Sequence, residues 1–143
     1  MKALIQRVKQ ASVTIDGELY SSINNGMLIL LGVTKDDTTE NAEKLVRKLV
    51  GLRIFEDEQG KMNKSILDTN GEILVVSQFT LCGDCKKGTR PSFDKSAPPQ
   101  IAEELYKYFI DTIKKEISIV KTGKFGAMMD VALINDGPVT FMV

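Results

Sequence analysis

One segment constrains the fold more than any other. Met27-Leu28-Ile29-Leu30-Leu31-Gly32-Val33 follows the turn signal Asn25-Gly26 and carries no polar side chain. A strand with one face in water alternates apolar and polar residues, so a run without alternation has to be covered on both faces and belongs in the middle of a sheet. Ile73-Leu74-Val75-Val76 is a second such segment, and it is closed by Ser77-Gln78-Phe79-Thr80. Two hydroxyls and a carboxamide therefore stand where a buried strand meets solvent.

The flanking patterns say what accompanies these strands. Ala3 to Val8 and Ala11 to Ile15 alternate, and Asp16-Gly17 leads into Leu19 to Ile23, which reads as a meander. Asp37 followed by Glu40 resembles a helix-starting cap, and Ala42, Leu45, Val46, Leu49 and Val50 recur at helical spacing up to Gly51. Leu52 to Phe55 reads as a short strand before the charged turn Glu56 to Lys61. Pro98-Pro99 opens a second helix with its stripe at Ile101, Leu105, Phe109 and Ile113, Glu103 and Glu104 in the first turn, and Lys114 and Lys115 in the last. Ile117 to Val120, Ala127 to Ile134 and Val139 to Val143 read as three further strands. This order predicts a single α+β domain over residues 1–143, with a largely antiparallel, barrel-like sheet and two amphipathic helices.

Composition narrows the function. The chain is 43% hydrophobic and 27% charged, without an apolar stretch long enough for a membrane span and with charge too early for a signal peptide. A soluble, cytoplasmic protein is expected. Lys plus Arg and Asp plus Glu are equal at 19 each, which argues against a broad nucleic-acid footprint and leaves room for a local basic patch. There is no histidine at all, so catalysis has to proceed without the side chain that usually moves protons near neutral pH.

Four candidates remain. Thr80 or Ser77 can be a nucleophile only with a base beside it, and no base is singled out by spacing; the plainer reading is that these hydroxyls satisfy backbone groups at a strand end. Asn135-Asp136-Gly137-Pro138-Val139-Thr140 reads as a tight turn that can also present carbonyl oxygens in a fixed direction. Lys86-Lys87-Gly88-Thr89-Arg90 is a solvated loop by default, or a phosphate contact made by Lys87, Arg90 and their neighbour. Cys82 and Cys85 form a C-x-x-C without the further ligands zinc needs and without the helix a redox dithiol needs, so an incidental pair is expected.

Taken together, Ser77-Gln78-Phe79-Thr80-Leu81, Lys87-Gly88-x-Arg90-Pro91-x-Phe93, Gly123-x-Phe125-Gly126-Ala127-x-Met129 and Asn135-Asp136-Gly137-Pro138-Val139-Thr140 resemble the motif series of the D-aminoacyl-tRNA deacylases. The resemblance runs over essentially the whole chain, from Met1-Lys2-Ala3-Leu4-Ile5-Gln6-Arg7-Val8 onward. It implies that family's fold and a carboxylic ester hydrolase that frees tRNA from D-amino acids, and from glycine, without metal or cofactor. The substrate is the 3′-terminal aminoacyl-adenosine. It also implies a homodimer in which a cis Gly137-Pro138 enters the partner's pocket and excludes L side chains. Thr80, Ser77 and Gln78 would form the reacting wall, with Phe79, Gly137, Pro138, Lys87 and Arg90 contacting substrate. Two mechanisms stay open: Thr80 as nucleophile, or main-chain positioning with the substrate's own 2′-hydroxyl taking part. The missing histidine favours the second. The competing functions are a non-catalytic RNA- or nucleotide-binding dimer and, more remotely, redox or zinc chemistry at Cys82 and Cys85.

Overall fold

The chain opens with a strand too long for one partner, and the sheet is built around it. In the computed structural model, which describes residues 1–143, β1 (Lys2–Ile15) replaces the two short strands expected over the same stretch. Along one edge its first half pairs antiparallel with β3 (Gly26–Gly32) and its second half with β2 (Glu18–Ile23). Its other edge pairs antiparallel with β8 (Asp130–Met142).

Across the fold from β1, the sheet becomes parallel: β3 pairs with β6 (Glu72–Ser77), and β6 with β7 (Val120–Thr122). Ser21 of β2 then donates to the Thr122 carbonyl at 2.8 Å, bringing the two ends of the sheet together into a nearly closed barrel. The unalternating run behaves as its composition requires. Met27, Ile29 and Leu31 of β3 pack under the helices, while Leu28 joins Val8, Val13, Leu74 and Val76 inside the barrel.

Helices α1 (Thr39–Val50) and α3 (Pro99–Ile113) cover the outer face. In α1 the five predicted apolar positions are buried, but the cap is Thr38 rather than Asp37. Asn41 Oδ1 accepts from the Thr38 amide and hydroxyl, both at 2.9 Å. The Asp37 carboxylate is taken instead by the Thr34 amide and hydroxyl and by the Met1 ammonium. In α3 the buried stripe is Leu105, Tyr106, Phe109, Ile110 and Ile113; Ile101 is exposed. Because α3 starts at Pro99, Glu103 and Glu104 fall in its second turn and Lys114 is already its C-cap.

Smaller differences have local causes. The strand expected over Leu52 to Phe55 is β4 (Phe55–Glu56), paired across the charged turn with β5 (Met62–Lys64). The one-turn helix α2 (Ile66–Thr69) was hidden by its length; Ser65 and Asp68 cap it reciprocally. The strand expected over Ile117 to Val120 begins only at Val120, and the two expected at the C-terminus are one strand, β8. No helix is long and apolar enough to cross a membrane.

The continuity of β8 hides an excursion. Gln6 of β1 faces Thr140 and Val8 faces Asn135, so Asp136, Gly137, Pro138 and Val139 stand against Arg7 alone. The chain there leaves the sheet in a short out-turned loop, with Gly137 and Pro138 exposed and the bond between them cis. Gly137 has φ +149°, and a Cβ on it would lie 2.6 Å from Val139 Cγ2, so no side chain fits without strain.

Candidate functional site

Ser77 is the last residue of β6, and Gln78 Nε2 donates to Thr80 Oγ1. The backbone departs from the strand at Gln78, whose amide still donates to Leu31 O at 2.7 Å, and then winds into a 3-10 turn over Phe79–Cys82. Thr80 thus sits on a turn, where its side chain is exposed, instead of pairing in a sheet. Its one hydrogen-bond partner is an amide donor, which cannot receive the hydroxyl proton. No imidazole, amine or carboxylate is hydrogen-bonded to it.

Ser77, Gln78, Phe79 and Thr80 line one wall of a cavity of about 640 Å3. That volume lies in the range of pockets for single small ligands. Gly126, Ala127, Met128 and Met129 form another wall, and Ser96, Ala97, Pro99 and Ala102 complete the rim beside α3. Tyr106 supports the floor: its hydroxyl donates to Val75 O at 2.8 Å and its ring lies 5.7 Å from that of Phe125. Burial pushes this phenol far above its ordinary value, so it remains a neutral donor tying α3 to β6. Tyr106 escaped the sequence reading because it lies one residue off the chosen stripe; the aromatic next to Leu105 was its only signal.

The remaining expected residues lie elsewhere. Lys87 and Arg90 are exposed on the loop after the 3-10 turn and do not line the cavity. Gly137 and Pro138 do not line it either, so one chain does not bring its two candidate halves together. Cys82 and Cys85 are free and differ in setting. Cys82 is buried against Val33 O at 3.5 Å, and burial raises its thiol pKa; Cys85 is exposed.

The out-turned loop is held from beneath by groups that spacing did not reveal. Arg7 is 4% exposed. Its Nε donates to Asp136 O at 3.0 Å, its Nη1 donates to Ile54 O at 2.8 Å, and its Nη2 lies 3.3 Å from Glu56 Oε1. Asn135 Oδ1 accepts from Val139 N at 2.7 Å while its Nδ2 donates to Thr140 Oγ1 at 3.0 Å. A guanidinium and a carboxamide thus hold the four-residue excursion by its backbone at both ends and leave its tip facing outward.

Comparison with known proteins bears on what this cavity serves. The family model described as D-Tyr-tRNA(Tyr) deacylase matches residues 4–143. A D-aminoacyl-tRNA deacylase of Thermosipho africanus is 56% identical over all 143 residues, 100% of this chain and 96% of the relative. One of Bacillus cytotoxicus is 54% identical, covering 100% and 98%. A solved structure described as c-Myc DNA Unwinding Element Binding Protein has a TM-score of 0.96 at 46% identity, covering 100% of this chain and 97% of that one. A probable eukaryotic D-amino acid tRNA deacylase shares the fold, with a TM-score of 0.87 at 19% identity over 99% and 97% of the two chains.

Proposed function

Because the chain belongs to the D-Tyr-tRNA(Tyr) deacylase family, we propose that it cleaves the ester joining a D-amino acid to the terminal adenosine of tRNA, in the cytoplasm, by substrate-assisted hydrolysis. Family membership makes it a hydrolase of the aminoacyl-tRNA ester. The observation that carries the mechanism is the Gln78 to Thr80 hydrogen bond on the cavity wall. A hydroxyl that accepts from an amide and touches no base is a poor nucleophile and a serviceable orienting group. Thr80, Ser77 and Gln78 then position the ester, and the ribose 2′-hydroxyl beside it assists the attacking water. Phe79 lines the adenosine side.

In this reading the cavity is completed by a second copy of the chain, whose Gly137 and Pro138 enter it. Three features support that arrangement: the loop is held rigidly by Arg7 and Asn135, its tip is exposed, and Ile134, Phe141 and Met142 on the same strand leave apolar surface open for burial. Carbonyl oxygens of the entering loop occupy the side to which an L side chain would project. Glycine presents nothing to reject, so glycyl-tRNA is hydrolysed as well.

Purified protein at substoichiometric concentration is expected to release many equivalents of D-tyrosine from D-tyrosyl-tRNA. Tight binding of the tRNA without release would favour the alternative of a nucleic-acid-binding protein, the description carried by the 46% identical structure. Lys87 and Arg90 supply charge for the RNA backbone in either case. Replacing both by Ala should raise KM for tRNA and flatten the log–log salt dependence of KM by about 1.4, the share of two single-strand phosphate contacts. An unchanged slope would remove these residues from the interface.

A further inference from the structure

The mouth of the cavity carries an aromatic pair, Phe79 and Phe93, of which the proposed reaction gives a role only to Phe79. Phe79 is 58% exposed and Phe93 is 38% exposed, with ring centroids 5.0 Å apart and planes tilted by 59°. Phe79 lines the cavity and Phe93 does not, so the second ring extends the apolar surface outward from the first.

The backbone around Phe93 is built to hold it there. Asp84 and Ser92 exchange amide hydrogen bonds at 2.8 and 3.0 Å, pinching the loop into a hairpin, and Ser96 N donates to Phe93 O at 2.9 Å. Gly83 lies against the ring: a Cβ at that position would stand 3.0 Å from Phe93 Cε1. The hairpin's tip, beyond the pinch, carries Lys86, Lys87 and Arg90, all exposed and none in an ion pair.

Flat apolar faces flanked by free cations suit a ligand that is both stackable and anionic, which is the chemistry of single-stranded nucleic acid. A second apolar chain would leave the three cations unanswered. Resting on the assignment of the cavity to the terminal adenosine, with Phe79 on its side, we propose that Phe93, packed against Phe79, stacks the base of the nucleotide immediately 5′ to that adenosine while the hairpin tip holds the phosphates on either side of that nucleotide. The enzyme therefore reads two nucleotides of the RNA 3′ end, and Phe93 sets affinity for the RNA rather than the rate of ester cleavage.

The test compares equilibrium binding of adenosine 5′-phosphate and of the dinucleotide cytidylyl-adenosine to the wild-type protein and to Phe93→Leu, which keeps apolar bulk and loses the flat face. Wild-type protein should bind the dinucleotide about tenfold more tightly than the mononucleotide, within the range one stacked base contributes. Phe93→Leu should erase that difference without weakening the mononucleotide, and Phe93→Tyr should restore it. Equal affinity of the wild-type protein for the two ligands overturns the proposal, as does equal weakening of both by Phe93→Leu. Because binding is read without hydrolysis, a failure here is distinct from failure of the deacylase reading, which appears as absent D-tyrosine release.

Discussion

D-tyrosyl-tRNA ending in 2′-deoxyadenosine is expected to be hydrolysed at least about a hundredfold more slowly than the ribose form, the scale of losing a general acid–base group or a transition-state donor. Thr80→Val, which keeps shape and removes the hydroxyl, should cost about tenfold by comparison, a single hydrogen bond. The asymmetry follows from the geometry. Thr80 Oγ1 receives the Gln78 amide and has no proton acceptor, so it cannot become an alkoxide at an accessible cost. A vicinal hydroxyl is carried by every aminoacyl-tRNA and lies beside the scissile ester without any entropy of approach. The deoxy substrate tests that assignment through kcat. If it were hydrolysed at the full rate while Thr80→Val was inactive, Thr80 would be the nucleophile, and an unidentified base would have to be sought.

Arg7→Met should damage both stability and stereoselectivity. The side chain is buried, and its loss strands the Ile54 and Asp136 carbonyls that it now satisfies. The Ile54 carbonyl is bonded in a buried setting and costs about 1–3 kcal/mol when left unpaired, while the Asp136 carbonyl, only partly buried, costs about 1 kcal/mol, giving about 2–4 kcal/mol in all and a drop in melting temperature near 10 °C for a domain of this size. The carboxylates contribute less to that figure. Glu56 and Asp136 remain partly exposed, at 56% and 39%, and their attraction is screened.

The selectivity effect is separable from the stability effect. With Arg7 gone, the excursion loses its hold at Asp136, and a loop free to shift by an ångström no longer excludes an L side chain. L-tyrosyl-tRNA hydrolysis should rise while D-tyrosyl-tRNA hydrolysis falls only modestly below the melting transition. Arg7→Lys keeps the charge but cannot span Asp136 and Ile54 together, so an intermediate phenotype is expected. A destabilised variant with undiminished rejection of L substrate would confine Arg7 to folding.

Much of this was readable in the residues. The absence of alternation from Met27 to Val33 placed that strand at the centre, and helical spacing located α1 and α3, because burial patterns are local consequences of a global core. What escaped was non-local. That Ala3 to Ile15 is one strand depends on three partners arriving from elsewhere, and that Asn135 to Thr140 is an excursion within a strand depends on its register against β1. Arg7 illustrates the limit best. In sequence it is a cation in an alternating strand, and only the fold brings it to carbonyls 47 and 129 residues away. The turn that carries Thr80 was not legible, since a 3-10 turn of four residues has no periodicity to detect.

On the proposed function, a loop presented by one copy of the chain decides which hand of amino acid reaches the wall formed by Ser77 to Thr80 of another. The most direct test is the ratio of kcat/KM for D-tyrosyl-tRNA to that for L-tyrosyl-tRNA, measured on the wild-type protein under identical conditions. Ready release of D-tyrosine is expected, with no detectable release of L-tyrosine above the uncatalysed rate. Comparable release of the two would contradict it.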